Sequence, residues 1–315
     1  MGKQEILLES GTNEMELLAF LIGKQTFGIN VIKVQSIQQF DPSAVTEMPK
    51  AHHALLGMIL YRNKTIPLIN LSAALDMETK NGNNENRIVI VTEFNNVVNG
   101  FLVDGVKRIH RLFWKDFVPM SRVIGNAGAS ITGSIHVEGA EIMIIDLEQI
   151  LSVIFPNLAI NEVSKETINK SENLSREDVC VFFAEDSNTI RKNVVRNLKK
   201  AGYGNIRSFE NGQQAFDYLV EQRDQADAKG PDNAGLPHVM ISDIEMPQLD
   251  GLTLCKKVKS DDKLKQIIVI MFSSLINKQM INRCKSVGAD SYITKPEMNK
   301  LVDMLDEFCL KNKKD

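Results

Sequence analysis

At 315 residues the chain has room for about two domains of ordinary size. Its 43% hydrophobic and 24% charged residues suit folded globular protein, and a net charge of −3 gives no basis for bulk nucleic-acid binding. Cys180, Cys255, Cys284 and Cys309 lack zinc-type spacing and read as free thiols of a reducing compartment. The start, Met1-Gly-Lys-Gln-Glu-Ile, lacks the apolar core of a signal peptide, and no apolar window approaches bilayer-spanning length. A cytoplasmic location is expected, with any membrane association reached through partners.

After a polar start, Leu17–Ile22 and Thr26–Ile29 flank the turn Gly23-Lys-Gln25 and predict a hairpin. Val31–Phe40 mixes a helical turn with a strand. Leu55–Leu60 and Thr65–Ile69 flank Tyr61-Arg62-Asn63-Lys64, a second hairpin tip where Asn63 tolerates positive φ. Pro67 within the returning strand predicts an edge or a bulge. Further strands are predicted at 87–92, 97–103, 106–112, 129–137 and 140–145, closed by a helix over 146–154. Many short strands at close spacing predict an all-β sandwich or barrel set over 14–155. His52, His53, His110 and His136 share no metal spacing. This half offers no nucleophile elbow, Cys–His pair or phosphate loop, so it reads as a binding module. Arg62 stands out at its hairpin tip. Such an Arg is usually just solvated, but beside apolar strands it can anchor a protein interface.

Residues 156–177 break the composition: Pro156, then Asn, Glu, Ser and Lys. They read as a linker, helical in part from Lys165. Beyond it strands (179–184, 206–209, 238–242, 267–272, 291–294) alternate with helices (187–200, 212–220, 251–259, 276–286, 297–310), and 221–236 reads as a long polar loop. That alternation predicts a doubly wound α/β fold with a five-stranded parallel sheet over 178–313.

The carboxyl ends of these strands carry the chemistry. Strand one ends in Glu185-Asp186, strand three in Asp243, strand four in Ser273-Ser274 and strand five in Lys295-Pro296. Alone, Asp243 would read as a turn acid, Ser273 as a cap and Lys295 as a solvated charge. Together they place three carboxylates, a hydroxyl and an ammonium on one rim. Three like charges in a small site need compensation. A hard cation with oxygen ligands, most naturally Mg²⁺, provides it and screens an incoming phosphoryl group. Asp243 is then the nucleophile toward phosphorus. Asp186, with Glu185 through water, holds the metal, while Ser273 and Lys295 bind the phosphoryl oxygens.

Ala184-Glu-Asp-Ser187, Ser242-Asp-Ile-Glu-Met-Pro-Gln-Leu-Asp-Gly251, Phe272-Ser-Ser274 and Tyr292-Ile-Thr-Lys-Pro296 resemble the CheY-like response-regulator receiver domains, over about 178–313. The resemblance implies phosphorylation of Asp243 by a phosphohistidine of a partner kinase, and Mg²⁺ on Asp186, Asp243 and the backbone carbonyl of Glu245. It implies an aromatic switch at Tyr292 coupled to Ser273. Glu185 stands where Asp is also common in that family.

Phe27-Gly-Ile-Asn-Val-Ile-Lys-Val34, Gly57-Met-Ile-Leu-Tyr-Arg-Asn-Lys-Thr-Ile-Pro-Leu-Ile-Asn-Leu71 and Phe101-Leu-Val-Asp-Gly-Val106 look like a CheW-like coupling domain over about 14–155. That family folds as two small SH3-like barrels and bridges chemoreceptor tips to the chemotaxis histidine kinase. Arg62 matches the Arg of the family's Asn-Leu-Arg-Gly motif, with Leu60, Tyr61 and Asn63 in place of Asn, Leu and Gly. The order of the two modules is similar to the CheV family.

The expectation is a phosphorylatable adaptor: 14–155 docks receptor tip and kinase, and 178–313 accepts phosphate on Asp243 and alters that docking. It is not expected to be an enzyme beyond its own Mg²⁺-dependent phosphorylation and dephosphorylation. The alternative is a phosphate sink that drains the kinase without changing coupling. A receiver-controlled enzyme such as an esterase lacks its nucleophile motif, and a DNA-binding regulator lacks a basic recognition helix after the receiver.

Overall fold

The computed structural model describes residues 12–49, 51–77, 87–94, 97–120, 130–155, 162–169, 175–229, 235–274, 278–295 and 297–311. They form two compact units, one within Met15–Ala159 and the other within Ile160–Asp315 with Met1–Glu14. Among the described residues no helix is long and apolar enough to cross a membrane.

The first unit is β-rich, as its short, closely spaced apolar runs predict. Its elements are β1 (Glu14–Ile22), β2 (Gln25–Asn30), β3 (Val34–Gln39), β4 (Leu55–Tyr61), β5 (Lys64–Asn70), α1 (Leu71–Ala74), β6 (Ile88–Phe94), β7 (Val97–Val103), β8 (Gly105–Phe113), β9 (Val118–Pro119), β10 (Ile131–Val137), β11 (Ala140–Ile145) and α2 (Leu147–Ile154). They build two sheets, ordered β8-β1-β2-β11-β10-β9 and β3-β6-β7-β5-β4. Each sheet has an apolar cluster. Leu17, Trp114, Ile135 and Ile142 pack in the first, and Tyr61, Leu68, Val91 and Leu102 in the second. Asp146 starts α2 by accepting from the Gln149 amide at 2.9 Å.

The β4–β5 hairpin closes through Arg62 and Asn63, with φ of 45° and 63°. Two successive positive φ values are what the twist of a two-residue hairpin requires. Of the two alternatives for Pro67, the edge is not met: it lies on β5, between β7 and β4, and the β4–β5 ladder shifts register between Leu55 and Gly57. The ladder to β7 begins only at Leu68, so the missing Pro67 amide falls outside it.

The second unit begins with α3 (Lys165–Asn169), then continues as β12 (Val181–Ala184), α4 (Asn188–Lys200), β13 (Ile206–Phe209), α5 (Gly212–Lys229), β14 (Val239–Ser242), α6 (Gly251–Ser260), β15 (Ile268–Ser273), α7 (Lys278–Ser286), β16 (Ser291–Thr294) and α8 (Met298–Asp306). The sheet is parallel throughout, in the order β13-β12-β14-β15-β16. Its central strands β12 and β14 are fully buried, which explains their unbroken apolar sequences. The order reverses between β12 and β14, and doubly wound sheets bind ligands at that crevice.

One sequence expectation fails in this unit. Residues 221–229 are not loop but the continuation of α5. Polarity suggested a loop, yet Glu, Gln, Arg, Ala and Lys are good helix formers. Gln225 donates to Glu221 one turn back at 3.1 Å. Residues 230–234 of the expected loop lie outside the described set.

Part of the composition break at 156–177 is structured. The Val163 amide donates to Asn197 Oδ1 at 3.0 Å and the Ser164 amide to Asn299 Oδ1 at 2.8 Å. Arg176, 1% exposed, donates from Nε and Nη2 to the two carboxylate oxygens of Asp306 at 2.7 and 2.6 Å, and from Nη1 to Ala201 O at 2.6 Å. Tyr203 adds its hydroxyl to Asp306 at 2.7 Å, and burial pushes its own ionisation up. Three stretches far apart in sequence are thereby tied to α8. Because removing one partner of a buried pair strands the other, Asp306→Ala should destabilise the second unit by about 3–5 kcal/mol in urea unfolding. A loss below about 1 kcal/mol, the range of exposed pairs, would show the pair to be incidental.

Candidate functional site

The parallel sheet delivers every strand end to one rim. Ser242 pairs with Ala184 across β14 and β12, so Glu185-Asp186 and Asp243 leave the sheet side by side. The Asp243 amide donates to Ala184 O at 2.9 Å, and the Glu185 amide to Phe209 O at 3.1 Å. The Lys295 amide donates to Ser273 O at 3.1 Å, which brings strand ends four and five together.

The side chains then converge. One carboxylate oxygen each of Glu185, Asp186 and Asp243 lies within 4.8 Å of the others. Lys295, 3% exposed, places Nζ 2.7 Å from Glu185 Oε2 and 3.0 Å from Asp243 Oδ2. Asp243 Oδ1 accepts from the Ile244 amide at 2.7 Å. Glu185 is fully buried. Burial pushes its carboxyl well above the usual range, against the pull of the Lys295 charge, and Asp243 and Asp186 push it the same way as burial. Three hard oxygen donors this close, with one ammonium serving two of them, suit a small divalent cation.

The backbone around Asp243 is equally constrained. Ser242 Oγ donates to Asp243 O at 2.8 Å, and the Gly251 amide donates to Ile244 O at 2.9 Å. A Cβ on Gly251 would sit 1.9 Å from Asp243 O, so only glycine lets the start of α6 approach this closely. Asp250 caps α6, accepting from the Thr253 amide at 2.8 Å and the Thr253 hydroxyl at 2.6 Å. Burial raises its pKa, opposed by those hydrogen bonds.

The remaining residues singled out in the sequence are distributed as follows. Ser273 is the last residue of β15 and is 1% exposed. Tyr292 lies on β16 opposite Met271, half-buried. Glu245 is half-buried in the loop after Asp243. Arg62 belongs to the other unit, exposed at its hairpin tip, its guanidinium carbon 5.1 Å from the Tyr61 ring centre. Leu60 beside it is 71% exposed. Sequence reasoning passed over Arg191. Its guanidinium donates to the backbone carbonyls of Glu185 at 2.6 Å and Asp186 at 3.2 Å. A basic residue in the first turn of a helix, where the dipole disfavours it, was the available signal.

Residues 16–155 match the CheW-like domain family, and residues 181–306 the response regulator receiver domain family. Over its whole length the chain is similar to the chemotaxis protein CheV3 of Helicobacter pylori, 32% identical across 95% of this chain and 96% of that one. The chain belongs to the CheV family. Each half also has separate relatives. Chemotaxis protein CheY1 of Helicobacter pylori is 33% identical over 37% of this chain and 84% of its own length. Chemotaxis protein CheW of Rhizobium meliloti is 30% identical over 43% of this chain and 86% of its own. This CheV-family chain is thus a chemotaxis coupling adaptor carrying a receiver domain. Its acidic cluster occupies the β12–β14 crevice of that receiver.

Proposed function

We propose that Asp243 accepts a phosphoryl group from a phosphohistidine of the chemotaxis histidine kinase, and that this modification alters how the CheW-like half couples kinase to receptor tips. The observation that carries the reading is the meeting of Glu185, Asp186, Asp243 and Lys295 at one strand-end crevice, in a chain whose other half is CheW-like.

Asp243 Oδ attacks phosphorus and forms an acyl phosphate. The P–N bond breaks, its electron pair returns to the imidazole nitrogen, and the released histidine takes up a proton from water. Lys295 already contacts Asp243 Oδ2, so its ammonium is in reach of charge growing on the phosphoryl oxygens. Ser273, at the end of the neighbouring strand, offers a hydroxyl to the same group. Glu185, Asp186, Asp243 and the backbone carbonyl of Glu245 would hold Mg²⁺, which when bound offsets the negative charge of acids and phosphate. Hydrolysis at the same residues returns Asp243 to its carboxylate.

The acyl phosphate adds roughly two negative charges beside Lys295. Drawing Lys295 and Ser273 toward them shifts the ends of β15 and β16, and Tyr292 on β16 reports that shift to the surface formed with α7 and α8. In the first unit, Arg62 is the proposed partner contact. Its tip is a two-residue turn with both φ values positive, and Leu60 is exposed alongside.

Radiolabel transfer from a purified phosphorylated histidine kinase tests the acceptor. Wild-type protein becomes labelled with Mg²⁺ and stays unlabelled with chelator, and Asp243→Asn takes no label. Label on Asp243→Asn would refute the assignment. Arg62→Ala should weaken kinase or receptor binding about tenfold, the effect of a modest hot spot, while labelling of Asp243 proceeds as in wild type. Unchanged binding to both would remove Arg62 from the interface.

A further inference from the structure

Arg191 occupies an unfavourable position for a cation. It is 7% exposed and lies in the first turn of α4, at the positive end of the helix dipole. A buried charge there persists only if well supplied with acceptors. It has four: Glu185 O at 2.6 Å, Asp186 O at 3.2 Å, Asn188 Oδ1 at 3.3 Å and Glu210 Oε1 at 3.1 Å. The first two are the backbone carbonyls of adjacent acids in the cluster. The last comes from the end of β13, so the guanidinium also ties the β12 loop to its neighbouring strand.

The choice of acceptor matters. An arginine paired with the carboxylates of Glu185 and Asp186 would occupy the oxygens a cation needs. Arg191 approaches from the backbone side and takes the carbonyls instead. Positive charge is thus placed under a loop whose acids repel each other and Asp243, and one side-chain oxygen of each acid stays within 4.8 Å of the others, while Glu185 Oε1 accepts from the Ser187 amide at 3.2 Å. Lys295 contacts the same cluster from the carboxylate side.

We infer that Arg191 is a positioning residue for divalent-cation binding: it fixes the Glu185-Asp186 backbone so that both carboxylates meet the ion together with Asp243. The inference rests on reading the acidic cluster as a Mg²⁺ site. Lysine at 191 keeps the charge but cannot span both carbonyls and Glu210.

Mg²⁺ titration calorimetry on the full chain tests it, with the heat absent from Asp186→Asn taken as the signal of this site. Arg191→Lys is expected to weaken Mg²⁺ binding about tenfold, the usual scale when a group orienting metal ligands is lost. The thermal midpoint in chelator is measured alongside. A lowered midpoint with Mg²⁺ affinity within twofold of wild type would mean a purely structural stitch and overturn the inference. If Arg191→Lys fails to fold, Glu210→Gln decides, since its side chain is 47% exposed. Weakening of about threefold supports the positioning role, and unchanged affinity overturns it. Wild-type protein that binds no Mg²⁺ would sink the metal reading and Arg191 with it. Wild-type binding matched by both variants would sink only the Arg191 assignment.

Discussion

Lys295 lies between two carboxylates with almost no access to water, 2.7 Å from Glu185 and 3.0 Å from Asp243. Neither acid could sit this deep beside the other without a cation. The ammonium is the compensation the protein itself provides, and it serves two acids while a third, Asp186, stands close by. That imbalance suits the crevice to a divalent ion. On the proposed reading, a phosphoryl group on Asp243 would redistribute Lys295, because one ammonium cannot keep both old contacts and make new ones at full strength. The resting ion pair and the response to modification are one electrostatic problem.

Parallel topology creates that problem at a single place. All five strands of the second unit point the same way, so residues from positions 185 to 295 meet at one rim. Close backbone packing holds them there. Gly251 lets α6 approach Asp243, the Asp250 cap anchors the same turn, and Arg191 holds the opposing loop. Farther away, Arg176, Asp306 and Tyr203 fasten the segment before the receiver to α8.

Much of this was legible in the sequence because it rests on short-range pattern. Unbroken apolar runs ending in acid, serine or lysine announce buried parallel strands and their rim. Alternating short strands with polar turns announce the β-rich half, and Asn63 marks a hairpin tip. What stayed hidden depends on three-dimensional closure. Arg176 finds Asp306 across 130 positions, and nothing local marks either one. Arg191 looks like one more basic residue on a basic helix until the turn before it is folded. The extension of α5 was misread because polarity was allowed to outweigh helix propensity. Pro67 predicts an edge or a bulge by a sound rule; β5 is internal, only its later residues pair with β7, and the irregularity lies across the hairpin between Leu55 and Gly57.

A receiver attached to a coupling module is useful as a switch only if charge at Asp243 changes binding made by the other half. The direct measurement is the affinity of the full chain for a receptor–kinase complex, for wild type and Asp243→Asn, with and without a small-molecule phosphodonor and Mg²⁺. Regulated coupling predicts that the donor shifts wild-type affinity several-fold, roughly 1 kcal/mol or more, and leaves Asp243→Asn unmoved. Equal affinity in all four states, with Asp243 demonstrably phosphorylated, would contradict it and leave a receiver that only drains phosphate from the kinase.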